Sequence, residues 1–355
     1  RAADFARSPG VEPLVLVGSR FLKPRGGELA LRGEPDDAGI ESPFRPVLVP
    51  GDSLHAEPEF TPPLAGCELV PVGSEAEEKS LLGRLPGRCA RAVLIAPEID
   101  LLLLRKYNLL TSAARRKLLL CFGQLNLGNK QTNRERFHAA GVPSPRFARL
   151  APGDAPPEDF PFPAVTKPWL GCGGWEVRRW NSREELLANP PAGEFLLEEY
   201  RPGMPASIAA ILTRDEPLLL PVCRQEIEWC EKEPRYLGGE VFCDENLQAR
   251  TERLARQALA AITGDFLREF LGWFPGAGAY VGIDLILGPA ADGSEDAVLE
   301  INPRLTTSYI GLRHALRENL AELMLRAAAG ESVSYSLRGE PVVFSAAGEI
   351  TFVER

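Results

Sequence analysis

The sequence predicts an α/β layer followed by a larger α+β portion, and two observations lead to this fold class. Before residue 125, short apolar strands alternate with polar, helix-like segments, the pattern of a parallel sheet covered by helices. After residue 160 the chain becomes rich in strands, with long helices placed only towards its end. A chain of 355 residues is long enough for two or three packed subdomains.

The first part begins with the end of a helix at 1–7 and a strand at 14–19. Two further buried strands are predicted at 67–72 and 91–97, with a polar helix between them. A stretch rich in Pro, Gly and acidic residues covers roughly 23–63. The first domain boundary is expected near residue 125.

The second part opens with a helix over 129–141 that ends at Gly141. Strands are predicted at 164–169, 175–180, 195–200, 207–213 and 217–223. They are followed by a helix near 246–271, strands at 279–287 and 297–302, an amphipathic helix over 311–330 and a strand-forming tail at 341–354.

Composition excludes several classes of function. The 40 basic residues face 49 acidic ones, a net charge of −9, which argues against general nucleic-acid binding but allows a local basic cleft for a small anion. Seven cysteines without a CxxC pair and only three histidines argue against a zinc site. They indicate reduced thiols in a cytoplasmic protein. No apolar run approaches a membrane span, and the first residues lack the apolar core of a signal peptide.

Oxygen donors recur near the end of the second part. Asp284 and Glu300 lie on consecutive predicted strands around the turn signal Asp292-Gly293, so an antiparallel hairpin would place them opposite each other. Asn302 follows on the same face of its strand. Three oxygen donors without His or Cys suit Mg²⁺ or Mn²⁺. The alternative is a pair of strand-edge acids followed by an Asn in a turn.

Arg304 comes two residues after Asn302, so it extends the same face of the strand. A guanidinium beside a metal site can hold phosphate or carboxylate oxygens and offset charge at a transferring phosphoryl group. The alternative is a surface arginine that packs on Tyr309.

Two segments in the middle of the chain predict contacts with a nucleotide. Lys167 ends a strand and is followed by Gly171, Gly173 and Gly174, whose backbone N–H groups can converge on an anion. This spacing is neither a P-loop nor a dinucleotide-binding fingerprint, and such loops are also common as plain turns. The segment 195–203, FLLEEYRPG, offers backbone groups to an adenine edge or is simply the end of a strand.

Taken in order, these segments resemble the ATP-grasp superfamily. The order is Lys130 in NKQTNRERFHAAG, Lys167 with its glycine loop, EEYRPG, Asp284 and EINPR. The resemblance implies an ATP-grasp fold of two α+β subdomains over 126–330, a Rossmann-like pre-ATP-grasp α/β domain over 1–125 and a β tail over 331–355. INPRLTTSYIGL, with APEIDLLL at 96–103, most resembles the group that contains the tyramine–glutamate ligase of methanofuran biosynthesis.

The resemblance also implies roles for individual residues. Lys130 and Lys167 would contact ATP phosphates under a loop formed by Gly171, Gly173 and Gly174. Adenine would lie at the hinge formed by Glu198, Glu199, Tyr200 and Arg201, with Glu198 at its amino group and the backbone of Glu199 and Arg201 along the ring. Asp284, Glu300 and Asn302 would hold Mg²⁺ (or Mn²⁺), and Arg304 would stabilise the acyl-phosphate step.

The activity implied is that of an ADP-forming carboxylate–amine ligase acting on small molecules, with a homodimer common among relatives. Two alternatives are a non-catalytic nucleotide-binding protein and a small-molecule kinase of the same fold. This chain departs from the family pattern at GMPAS (203–207), where many members carry an acid for the ribose hydroxyls. It also begins inside a helix where relatives begin with a strand, so we expect that strand to be missing from the first domain.

Overall fold

The computed structural model describes residues 129–352, apart from 170–173, 175, 213–215, 243 and 274–278. Before residue 129 it describes only separate segments. These are helical residues at 76, 79 and 80 together with β1 (Leu14–Gly18), β2 (Leu22–Arg25), β3 (Glu28–Leu31), β4 (Glu68–Val72), β5 (Ala92–Leu94), α1 (Ser112–Arg115) and β6 (Leu118–Cys121).

The first-part segments pair mainly in parallel. β1 pairs with β4 and β5 pairs with β6, both in parallel, whereas β2 and β3 form an antiparallel pair. The strands predicted at 14–19, 67–72 and 91–97 are therefore confirmed as strands. The predicted helix at 1–7 lies outside the described residues, and the Rossmann-like domain over 1–125 stays a prediction.

A small antiparallel sheet follows the first helix of the second part. Its strands are β7 (Phe147–Leu150), β8 (Ala164–Lys167), β9 (Arg178–Trp180) and β10 (Phe195–Glu199), in the order β7-β10-β8-β9. Helix α3 (Arg183–Ala188) begins at Ser182, whose side chain accepts a hydrogen bond from the Glu185 amide. The sheet has its own core, formed by Leu150, Phe160, Ala164, Trp180, Leu186, Phe195 and Leu197.

A larger antiparallel sheet carries the rest of the second part. Its strands run in the order β16-β15-β11-β13-β14-β17-β18, with β12 beside β11. They are β11 (Met204–Leu212), β12 (Leu218–Leu219), β13 (Cys223–Cys230), β14 (Glu233–Val241), β15 (Ala279–Leu287), β16 (Ala297–Asn302), β17 (Val342–Ser345) and β18 (Ile350–Phe352). The tail strands β17 and β18 thus extend this sheet through β14.

Helices cover both faces of the large sheet. Because successive strand residues point to opposite faces, Tyr280 belongs to one core and Val281 to the other. Helices α2 (Lys130–Ala139) and α4 (Glu245–Trp273) pack on the Val281 side, and α5 (Tyr309–Ala315) and α6 (Leu320–Ala328) pack on the Tyr280 side. Among the helices of the described residues, none is long and apolar enough to cross a membrane.

The single helix predicted over 311–330 is wrong, because the structure contains two helices there. α5 ends where Leu316 turns extended and forms a β-bridge with Leu337. α6 restarts at Asn319, whose side-chain oxygen accepts from the amides of Ala321 and Glu322. An Asn inside an amphipathic pattern therefore acts here as a helix start.

Candidate active site

The predicted hairpin of the two acidic strands is confirmed. β15 and β16 pair antiparallel, with Asp284 opposite Glu300 and Gly282 opposite Asn302. Gly293, in the loop between them, has φ of +75°, a left-handed conformation that suits glycine. Since paired residues share a face, the two carboxylates and the Asn302 amide lie together on the Tyr280 side of the sheet.

Amide side chains join the two carboxylates. Asn302 Nδ2 donates to Asp284 Oδ2 at 2.8 Å and to Glu300 Oε1 at 3.3 Å. Gln225, on β13, donates its Nε2 to Asp284 Oδ1 at 2.9 Å. The sequence analysis did not single out Gln225, because its hydrogen bond to Asp284 joins β13 to β15, two strands that are far apart in sequence.

The two acids have opposite pKa shifts. Burial and the neighbouring Glu300 carboxylate raise the pKa of Asp284 to about 7. Burial alone would also raise the pKa of Glu300, but the charges of Lys130, Lys167 and Arg304 outweigh it and lower that pKa to about 2. Ionising both Asp284 and Glu300 is thus unfavourable unless a cation binds beside them.

The donor set fits a hard divalent cation. Mg²⁺ is commonly held by one or two carboxylates, with substrate phosphates and water supplying the remaining oxygens. Asp284, Glu300 and Asn302 supply two carboxylates and one amide on a single face. Within the residues that the structure describes, no group of three His, Cys, Asp or Glu side chains is arranged to hold a metal by itself. Two carboxylates and one amide would leave the remaining positions around such a cation to water or to a bound phosphate.

Lys130 brings an ammonium group to this pair. It is the first residue of α2, which begins at Asn129, whose side chain accepts from the Thr132 amide. Its side chain is largely buried, with Nζ 3.4 Å from Glu300 Oε2. The Lys130 amide donates to the carbonyl of Trp169 at 3.1 Å, which fixes the start of α2 beside the segment after β8.

Lys167 takes part in a buried charge network. Its Nζ lies 2.7 Å from Glu198 Oε2, while Arg134 donates through Nη2 and Nε to Glu198 Oε1 at 2.7 and 3.1 Å. Arg134 also donates to the carbonyls of Val298 and Leu299, so it links β10 to β16. Burial lowers the pKa of Lys167, and the Glu198 carboxylate opposes that shift.

Arg134 is a second site residue that the sequence analysis missed. It lies one helical turn after Lys130, a spacing that places both side chains on one face of α2. Both carboxylate oxygens of Glu198 are engaged by the network, so its expected contact with the adenine amino group stays a prediction.

Arg304 lies beside the carboxylate pair. Its Nη2 donates to Asn302 Oδ1 at 3.2 Å, and its backbone amide donates to the Asn302 carbonyl at 2.8 Å. Behind it, the buried hydroxyls of Thr306 and Ser308 lie 2.8 Å apart. The chain thus folds back on itself immediately after β16, which holds the guanidinium near the acids.

The predicted hinge residues lie at the end of β10. Glu199 Oε1 forms an ion pair with Arg201 Nη1 at 3.3 Å. The ring of Tyr200 lies 6.1 Å from the Trp229 ring in an edge arrangement, and the Arg179 guanidinium lies 4.1 Å from its centroid. Whether adenine contacts this segment stays a prediction.

The glycine loop is described only at its end. Gly171 and Gly173 lie outside the described residues. Gly174 has φ of +76°, and its carbonyl accepts from the Val177 amide at 3.1 Å. The turn into β9 therefore requires the left-handed conformation that glycine adopts without strain.

The fold and this cluster define the class of the protein: the chain belongs to the ATP-grasp domain family, whose profile matches residues 127–308. Among curated proteins, it is 28% identical over 251 residues to the tyramine–L-glutamate ligase of Methanocaldococcus jannaschii, covering 70% of this chain and 66% of that protein. It is 30% identical over 186 residues to the enzyme of the same name from Methanocaldococcus fervens, covering 52% and 51%. The chain thus spans less than two thirds of each relative.

Solved structures support the same fold. The ADP complex of an N5-carboxyaminoimidazole ribonucleotide synthetase aligns with a TM-score of 0.57 at 16% identity, over 80% of this chain and 72% of that one. Biotin carboxylase from Campylobacter jejuni aligns with a TM-score of 0.55 at 14% identity, over 78% and 65%. The expected ATP-grasp fold is confirmed.

Proposed function

We propose that the protein is an ATP-dependent carboxylate–amine ligase that acts on small molecules and releases ADP and phosphate. The observation that carries the proposal is that the buried Lys130 and Lys167 lie close to the half-buried Asp284–Glu300 pair and Arg304. Buried cations grouped around paired carboxylates suit a polyphosphate bound together with a divalent cation. The ligase names of the curated relatives support the same reaction class.

In the proposed first step, a substrate carboxylate oxygen attacks the γ-phosphorus of ATP. The bond from that phosphorus to the β–γ bridging oxygen breaks, giving an acyl-phosphate and ADP. Mg²⁺ (or Mn²⁺), when bound at Asp284, Glu300 and Asn302, supplies charge neutralisation at the phosphate oxygens. Lys130 and Lys167 would orient the phosphates, and Arg304 would offset the charge that develops during transfer.

In the second step, an amine nitrogen attacks the acyl carbon. The bond from that carbon to the phosphate oxygen breaks, phosphate leaves, and the nitrogen loses one proton as the amide forms. The protein needs no nucleophilic side chain for this sequence, because the acyl-phosphate already carries its leaving group. Its main contribution is to position the reactants and neutralise charge.

The test is ADP release from Mg²⁺-ATP in a matrix of acids and amines that includes glutamate with tyramine. We expect turnover that requires both an acid and an amine and is lost in Glu300→Gln. The matched control is Glu331→Gln, which should keep full activity. Glu331 follows α6 and forms an exposed ion pair with Arg326. A stable phosphoester without amide would indicate a kinase, and ATP binding without turnover would favour a binding protein.

The setting of the enzyme is also part of the proposal. The seven cysteines without a CxxC pair support a cytoplasmic location, where thiols stay reduced. A homodimer is expected from the resemblance alone. Light scattering after size-exclusion chromatography would measure the molar mass of the protein in solution and so test this expectation.

A further inference from the structure

The tip of the β13–β14 hairpin contacts the small sheet. We define the hairpin tip as residues 229–234 at the turn between these strands. The backbone amide of Arg179, on β9, donates to the Lys232 carbonyl at 2.8 Å. Beside it, Arg178 Nη2 lies 3.1 Å from Glu233 Oε1. The large sheet therefore reaches the small sheet through this tip.

Lys232 is the centre of this contact. Its Nζ lies 2.8 Å from Glu185 Oε1, in the first turn of α3, and 4.6 Å from the centroid of the Trp180 ring. At the other side of the tip, Trp229 meets the edge of Tyr200. One short turn thus contacts the helix, the edge strand and the hinge of the small sheet.

The hairpin tip also lies beside the end of the glycine loop. A side-chain carbon placed at Gly174 would lie 3.6 Å from both the ring and the carbonyl of Pro234, which is ordinary van der Waals contact. Four residues later, β9 begins with the arginines that bind the tip. Gly174 therefore lies next to the hairpin from the large sheet, four residues before the strand that binds it.

The two attachments between the sheets differ in strength. The Arg134–Glu198–Lys167 network is buried, and breaking it would leave an unpaired charge in the interior. The ion pairs of the tip are partly or fully exposed: the side chains of Lys232 and Glu185 are 37% and 29% accessible, and those of Arg178 and Glu233 are 49% and 62% accessible. Exposed pairs contribute little individually, so the tip can release while the buried link stays intact.

We propose that the hairpin tip is a releasable latch that positions the small sheet, and with it Gly174 and Lys167, against the large sheet. Lys232 and Glu185 act as positioning residues and touch no substrate. The bound form in which both sheets contact a nucleoside triphosphate requires the latched arrangement. This last point rests on the proposed function, whereas the latch itself does not.

The test compares Lys232→Ala with Glu185→Gln, the double variant, and Lys232→Arg, which keeps the charge. Arg326→Ala removes a similarly exposed pair, to Glu331, and is the control. Two measurements are made on the full chain: amide hydrogen exchange across residues 176–180 without nucleotide, and the Kd of Mg²⁺-ATP by calorimetry.

Lys232→Ala and Glu185→Gln should each speed exchange across 176–180 and weaken Mg²⁺-ATP binding about two- to five-fold. The double variant should add little to either single change, because both remove one pair. Lys232→Arg should behave as the parent. Unchanged exchange in Lys232→Ala, or the same change in Arg326→Ala, would overturn the latch. If the parent binds no Mg²⁺-ATP, the proposed function fails, and exchange without nucleotide still decides the latch.

Discussion

Asp284 and Glu300 are direct cross-strand partners, and a single amide, that of Asn302, donates to both of their carboxylates. Two neighbouring carboxylates repel each other when both are ionised. Their surroundings nevertheless shift the two pKa values in opposite directions. Glu300 lies 3.4 Å from the ammonium of Lys130, whereas Asp284 accepts hydrogen bonds from the neutral amides of Gln225 and Asn302. Glu300 therefore keeps its charge, and Asp284 is the acid whose ionisation is unfavourable.

The first prediction concerns the pH dependence of stability without metal. The pKa of Asp284 is about 7 in the fold and near its ordinary ~3.9 when unfolded, so its protonated form stabilises the fold at low pH. That contribution is lost as pH rises from about 4 to about 7. Asp284→Asn lacks this loss, so its free energy of unfolding should rise relative to the parent over that interval.

Urea denaturation in EDTA at a series of pH values measures this difference. Asp159→Asn is the control, because Asp159 is exposed and Arg146 lowers the pKa of its carboxyl. Its linkage has the opposite sign: stability is present above the unfolded pKa and lost as pH falls. A constant difference between Asp284→Asn and the parent across the series would contradict the assignment.

The second prediction concerns the missed residue Arg134. Its side chain is 1% exposed, and its loss would leave the buried Glu198 carboxylate with Lys167 alone. Removing one partner of a buried pair typically costs about 3–5 kcal/mol, so Arg134→Met should lower the free energy of unfolding by that amount.

Arg146→Met provides the matched control for this change. Arg146 also binds a carboxylate, that of Asp159 at 2.8 Å, but both side chains are exposed. Its loss should cost less than about 1 kcal/mol. Chemical denaturation of the two variants side by side checks the contrast, and equal losses would show that the buried network does not stabilise the fold.

The carboxylate hairpin could be predicted because the residues that determine it lie close together in the sequence. β15 and β16 have the predicted bounds 279–287 and 297–302, and alternation around the Asp292-Gly293 turn placed Asp284 opposite Glu300. α2, at Lys130–Ala139, likewise lies within the predicted 129–141 because Asn129 and Gly141 flank it. At these two places a turn and a pair of helix ends identified the element from residues close in sequence, whereas the cap at Asn319 lay inside an amphipathic pattern and was missed.

The remaining site contacts could not be predicted, because they join segments distant along the chain. Arg134 reaches Glu198, 64 residues away, and Gln225 reaches Asp284 across 59 residues. β13 and β14 form a hairpin with a bulge after Glu226, so its register does not follow simple alternation. Such pairs depend on how distant segments pack together, and motifs and periodicity in one sequence do not indicate which distant residues pair.

The third prediction concerns the close approach of Gly282 to Thr306. A side-chain carbon at residue 282 would lie 2.3 Å from Thr306 Cγ2, far inside contact distance. Gly282→Ala must therefore displace the segment that follows Arg304, at a cost of about 1–3 kcal/mol for overpacking. Because Gly282 pairs with Asn302, we also expect weaker Mg²⁺-ATP binding.

A second substitution separates this clash from a general loss of glycine. Thr306→Ser removes the Cγ2 methyl group but keeps the hydroxyl that lies 2.8 Å from Ser308 Oγ. Alone it should cost about 0.8 kcal/mol, the value of one buried methyl group. Combined with Gly282→Ala, it should recover most of the lost stability and nucleotide affinity, so the two changes would be strongly non-additive. Additive losses in denaturation and calorimetry would mean that the contact with Thr306 is not what requires glycine at this position.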